Sequence, residues 1–206
     1  MQTIQAGFEL FEWQCEIIEE RNAVRAVFNG RETSYQVFVM RLLGEGLYRF
    51  VILCPIETQS DHLAATGEFL HRINATLPMG AFELDYDRGS LRWISSAETN
   101  GDPLPPHWIG GSVQRGLTSF ETVWPELLAV AEGRIDARSA FLRSQIALEL
   151  PVLNKRFETD GLNLRLSALD ESTPLAVLVD SDALDSAKSA LEDLFGSPLP
   201  FALKRT

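Results

Sequence analysis

Apolar and polar residues alternate along the start of the chain. Phe11, Trp13, Cys15 and Ile17 fall on one side of an extended segment, with Glu12, Gln14 and Glu16 on the other. A period of two is the signature of a half-buried strand. The same stretch also suits a helix over 4–20 ending at Glu19-Glu20-Arg21, and pattern alone leaves the two readings even. After the polar turn at 20–22, Val24, Ala26 and Phe28 alternate again as far as Asn29-Gly30. Tyr35-Gln36-Val37-Phe38-Val39-Met40 predicts another strand, stopped by Gly44-Glu45-Gly46. Leu47 to Cys54 is apolar on both faces, and strands of that kind carry cover on both sides.

The period then changes. Leu63, Thr66, Phe69/Leu70, Ile73 and Leu77 recur at threes and fours, which predicts a helix over 61–77, capped by Ser60 or Asp61 and ended by Pro78 and Gly80. Phe82, Leu84 and Tyr86 alternate with Glu83, Asp85 and Asp87, the chain turns at Asp87-Arg88-Gly89, and Leu91-Arg92-Trp93-Ile94 returns as the partner strand. Residues 95–111, dense in Pro, Gly and polar side chains, predict a long loop. Thr118 and Glu121 have capping-box spacing ahead of Val123, Leu127, Leu128 and Val130, with a kink or a new helix at Pro125. Beyond Gly133 the pattern predicts a helix near 138–149, strands at 162–169 and 175–179, and a helix over 182–195. Asp180 to Asp182 would cap that last helix, and Leu184, Ala187, Leu191 and Leu194 would bury it.

These elements predict an α+β fold with a mostly antiparallel sheet, the 61–77 helix on one face and C-terminal elements on the other. The domain spans 1–135, followed by a small αββα extension over 136–206. The lysines support that border, since Lys155, Lys188 and Lys204 all fall in the extension.

Composition narrows the function classes. With 206 residues, 45% hydrophobic and 23% charged, the chain matches globular averages rather than disorder. A net charge of −11 opposes phosphate, so nucleic acid and anionic membrane surfaces are excluded as partners. No apolar run approaches the ~20 residues of a membrane span, and the N-terminus lacks a basic leader. Cys15 and Cys54 read as reduced core thiols, which predicts a cytoplasmic protein.

No candidate chemistry survives spacing arguments. Glu83, Asp85 and Asp87 line one side of a strand, where a solvated hairpin face explains them better than a metal or acid–base site. Asp180, Asp182 and Asp185 lack the Gly and closing Glu of a calcium loop. His62, His71 and His107 are too scattered for a metal motif, and neither cysteine has a CxxC partner. Gly110-Gly111-Ser112 is no nucleophile elbow, nucleotide-binding glycine motifs are absent, and Asn74-Ala75-Thr76 is a chance sequon. Of Trp93, Trp108 and Trp124, core packing accounts for two. No catalytic, metal or cofactor-binding residue is therefore assigned.

Residues 23–133 carry a resemblance. Val27-Phe28-Asn29-Gly30 precedes Tyr35-Gln36-Val37-Phe38; Cys54-Pro55 ends the third strand; Phe69-Leu70-His71-Arg72-Ile73-Asn74 lies on the helix; and Gly80-Ala81-Phe82-Glu83-Leu84-Asp85-Tyr86-Asp87-Arg88-Gly89 follows. This series, about half the chain, resembles the YbjN-like family of bacterial proteins, described as sensory transduction regulators. The resemblance implies a fold like that of type III secretion chaperones. It also implies a cytoplasmic, non-enzymatic, acidic homodimer that binds a protein partner in a chaperone-like or regulatory role. No family catalytic residues carry over, so the partner-binding residues stay unassigned. The alternative is a small-molecule-sensing domain with a pocket under the 95–111 loop.

Overall fold

The alternating segments pair into a six-stranded antiparallel sheet in the computed structural model, which describes residues 2–42, 46–159, 166–168, 176–179 and 184–205. The chain divides into two units, residues 1–137 and 138–206. The first runs α1 (Gln2–Glu9), β1 (Glu16–Ile18), β2 (Ala23–Asn29), β3 (Ser34–Arg41), β4 (Leu47–Glu57), α2 (Leu63–Asn74), β5 (Ala81–Leu84), β6 (Ser90–Glu98) and α3 (Pro106–Ala131). Strand order is β1-β2-β3-β4-β6-β5. The α+β class and the mostly antiparallel sheet expected from the pattern are both present.

One face of this sheet is the core. Val24, Val37, Val39, Tyr48, Phe50, Ile52, Leu91 and Trp93 are buried there beneath α2 and α3, and α1 packs on α3 through Ile4 and Phe8. The opposite face of β4 carries exposed Arg49, half-buried Val51 and Leu53, which is 36% exposed. The doubly apolar strand is therefore sealed by the unit's helices on one side only. Pro55, which has no N–H for the ladder, sits where the β4–β6 register shifts between Leu53 and Glu57.

Neither reading of the N-terminal alternation holds over its full length. The helix stops at Glu9, and Trp13 N–H bonds back to Phe8 O at 3.0 Å with Glu12 in the left-handed region at φ 58°. Phe11 and Trp13 stack at 4.8 Å, and Trp13 meets Phe28 edge-on at 4.9 Å. Aromatic side chains gathered by a turn imitate a strand's period, and only Glu16–Ile18 enters the sheet.

The predicted 95–111 loop and the Thr118 helix start are also corrected. β6 continues to Glu98 and α3 begins at Pro106, since Pro fits the first turn, where its missing N–H needs no partner. Thr118 and Glu121 lie mid-helix, and α3 runs on through Pro125. The glycines that looked like loop signals are contact points. An added Cβ at Gly116 would lie 2.6 Å from Trp93 Cε3, and one at Gly110 would strike the Phe11 ring. The helix approaches the sheet at Gly116 and the turn after α1 at Gly110 too closely for any side chain.

In the second unit, α4 (Ala137–Thr159) is followed by β7 (Leu166–Ala168), β8 (Ala176–Val179), α5 (Leu184–Phe195) and β9 (Ala202–Arg205). The expected αββα order gains a strand. β9 pairs parallel to β8, and α5 supplies the crossover that a parallel pair requires. Helix α4 extends past the predicted end at 149, burying Ile146, Leu150, Leu153 and Phe157 with Val177, Val179, Ala187, Leu191 and Phe201. The predicted stripe of α5 is narrower than expected, because Leu184 and Leu194 are exposed. The Asp180–Asp182 cap and most of the 162–169 strand lie outside the described residues. Among those described, no helix is long and apolar enough to cross a membrane.

The two kinds of glycine on α3 separate experimentally. Gly116→Val should destabilise the protein by about 1–3 kcal/mol through overpacking against Trp93 and Ile52. Gly111→Ala, whose Cβ would meet only Arg115 Nη2 at 3.7 Å, should stabilise it by about 0.5–1 kcal/mol. Urea denaturation of both variants checks the pair.

Candidate functional site

Several polar groups of the helix–hairpin signature are engaged in holding the backbone. Asn74, at the end of α2, accepts from Phe82 N–H at 2.7 Å and donates Nδ2–H to Phe82 O at 2.9 Å. Phe82 alternates with residues that pair to β6, so its own N–H and C=O point outward from the sheet. The Asn74 amide takes the place of a neighbouring strand at that position. Asp85 Oδ1 accepts from the backbone N–H groups of Asp87 and Arg88 at 3.0 and 3.2 Å and so shapes the turn. Glu83 pairs across the hairpin with Arg92 at 2.6 Å. Gly89 holds φ +71°, and its carbonyl accepts from Thr58 N–H at 2.8 Å. A Cβ there would strike the Thr58 carbonyl.

The remaining candidates are dispersed. His62 ends a 3-10 turn, His71 is on the exposed face of α2, and His107 is exposed in the first turn of α3. Cys54 is buried and Cys15 half-buried. Asp185 lies on α5, whereas Asp180 and Asp182 fall outside the described residues. Ser112 is buried inside α3. Trp93 and Trp124 are core residues, and Trp108 is 47% exposed. Among the described residues, no three His, Cys, Asp or Glu side chains are placed to share a metal.

A cleft lies elsewhere, at the tip of the β2–β3 hairpin and away from residues 95–111. It measures about 400 Å³ and is lined by Phe28, Asn29, Arg31, Tyr35, Leu117 and Glu121, with Gly30 at its rim. Buried Tyr35 donates its hydroxyl to Glu121 Oε1 at 2.8 Å, and Glu121 Oε2 accepts from Arg31 N–H at 3.1 Å. Trp124 Nε1 donates to Glu32 Oε2 at 3.0 Å, a second tie from α3 to the hairpin. Tyr35 also stacks on Phe120 at 5.3 Å. Pattern reading missed Tyr35 and Glu121 as a pair; the only local trace is the Asn29-Gly30…Tyr35 run, since Glu121 resembles a capping residue.

The family profile described as "Putative bacterial sensory transduction regulator" matches residues 2–128. The chain belongs to the YbjN family. A crystal structure of YbjN from E. coli is 12% identical, covers 64% of this chain and 91% of its own, and superposes with a TM-score of 0.46. No curated protein matches the chain. Within the YbjN signature of this chain, Asn74 closes one sheet edge and Asp85 and Gly89 form the hairpin turn.

Asn74→Ala should lower stability by about 1–3 kcal/mol, because it strips Phe82 of both outward partners. A urea midpoint equal to that of the parent contradicts the edge-closing role. The alkaline limb of stability is a second check. Burial pushes the Cys54 thiol up from 9.0 to about 12, against a backbone hydrogen bond involving Ile56. Burial first, then the bond to Glu121 and neighbouring negative groups, raises Tyr35 above its ordinary value. Both groups are neutral when protonated, and the fold holds these protons more tightly than the unfolded chain does. Cys54's contribution is complete below pH 9.0 and is lost as pH rises towards about 12, and Tyr35's is complete below pH 10.0 and is lost above it, so the two losses overlap. Cys54→Ala should flatten the fall of the urea midpoint from pH 9.0 upward and Tyr35→Phe from pH 10.0 upward; unchanged alkaline limbs contradict the assignment.

Proposed function

We propose that this YbjN-family chain is a non-enzymatic protein-binding module with a chaperone-like or regulatory role. One observation carries the reading: three carboxylates of its signature and cleft, Glu83, Asp85 and Glu121, are committed to the scaffold. Asp85 holds a turn, Glu83 holds Arg92, and Glu121 holds Tyr35 and the Arg31 backbone. The molecule offers shape, charge and backbone rather than a reactive group. The family description as a sensory transduction regulator agrees with a protein that works by contact. Homodimerisation belongs to the same proposal, and sedimentation against the 23.0 kDa monomer reads it.

The cleft of about 400 Å³ favours a second reading, a module that senses a small molecule at the hairpin tip. In-cell photocrosslinking from Val27, with Asp87 on the far hairpin as control, separates the two. A discrete protein adduct from Val27 is the expected result. No adduct from either position, together with a melting temperature raised by a metabolite pool, overturns the proposal in favour of sensing.

A further inference from the structure

The two edges of the six-stranded sheet are finished differently. At β5 the outward groups of Phe82 are taken by the Asn74 amide. At the other edge, β1 is only three residues long and covers β2 from Ala23 to Arg25. Gly30 N–H bonds to Thr33 O and Arg41 N–H to Asn22 O, so even-numbered residues of β2 face β3 and odd-numbered ones face outward. Arg25 and Ala23 are opposite Glu16 and Ile18. Val27 and Asn29 lie beyond the end of β1, and among the described residues no partner pairs with their backbone N–H and C=O groups. β1 goes no further because the chain turns at Glu12 and Trp13 back into α1.

Unpaired backbone groups in strand spacing at an exposed sheet edge are a template for another strand. We infer that the open Val27–Asn29 edge and the adjoining cleft bind an extended segment of a protein partner in which Lys or Arg alternates with apolar residues. Extension follows from the row of outward groups, which only a β-conformation can meet. Alternation follows from the two faces. A residue opposite Val27 points to the outer face, where Val27 is 57% exposed and apolar. A residue opposite Phe28 points to the cleft side, over Phe28 and Leu117 and towards the Glu121 carboxylate. A long aliphatic stem with a cationic tip fits that path.

The charge of the partner follows from the charge of the edge. Residues 9–21, which lead into and out of β1, carry Glu9, Glu12, Glu16, Glu19 and Glu20 against Arg21, within a chain of net charge −11. Arg31 is the one cation lining the cleft. Its side chain is 88% exposed and only 3.9 Å from Glu121 Oε2 through Nε, so it can swing clear of an incoming cation.

The inference rests on the protein-binding proposal above and is tested on the full chain with synthetic probes. A short alternating Lys-Val peptide should bind and slow amide exchange at Val27 and Asn29, with affinity falling as salt rises, whereas the Glu-Val counterpart should not bind. Val27→Pro removes an outward N–H but none of the bonds to β3, and should weaken Lys-Val binding about tenfold. Arg31→Ala should strengthen it, and an unchanged far-ultraviolet spectrum and melting temperature confirm that both variants fold. Equal binding of the two peptides, or binding unaffected by Val27→Pro, overturns the inference. A cellular adduct at Val27 without any Lys-Val binding removes the inference and leaves the protein-binding reading standing; loss of both removes both.

Discussion

The close seating of α3 on the sheet is the contact on which the rest of the first unit depends. Gly116 allows the helix backbone to reach Trp93 and Ile52, and Gly110 does the same for Phe11. With the helix held at that distance, Phe120 can stack on Tyr35 of β3 and meet Phe82 of the edge strand β5 edge-on at 4.9 Å, so a single side chain ties two strands that are not neighbours in the sheet. The same placement brings Glu121 to the hairpin tip and Trp124 to Glu32. A bulkier side chain at the glycines would move the helix axis outward, and each of those polar ties would lengthen with it.

Polar side chains in this unit serve mainly to finish backbone that regular structure leaves open. Asn74 completes the outer side of β5, Asp85 completes the turn that follows, and Glu121 receives the Arg31 N–H at the opposite hairpin. At part-buried Phe82 the groups would otherwise lose water without gaining a partner, which is a larger effect than an exposed ion pair supplies. The exposed pairs Arg72–Glu68 and Arg134–Glu132 add little by comparison.

The finished edge and the open edge also give the sheet a direction. Strand addition is blocked where Asn74 occupies Phe82, and it is available where β1 ends early at Glu16.

Local pattern in the sequence was enough for β2 to β6, for α2 and for the hairpin, because alternation and the three–four stripe both report which side of a short segment is buried. The turn at residues 10–15 misled it, since aromatic rings folded to one side of a turn carry the same period as a strand. The start of α3 misled it too, since Pro and Gly have one meaning in a loop and another at a helix start or a tight helix–sheet contact. The cleft was out of its reach: Tyr35 and Glu121 are 86 residues apart and Glu32 and Trp124 are 92 apart, and no periodicity links them. β9 likewise depends on a parallel partner reached only across α5. The sequence by itself determined which segments bury a face. Tertiary structure alone decided which faces meet, because partners distant along the chain are chosen by shape and by backbone groups left unpaired.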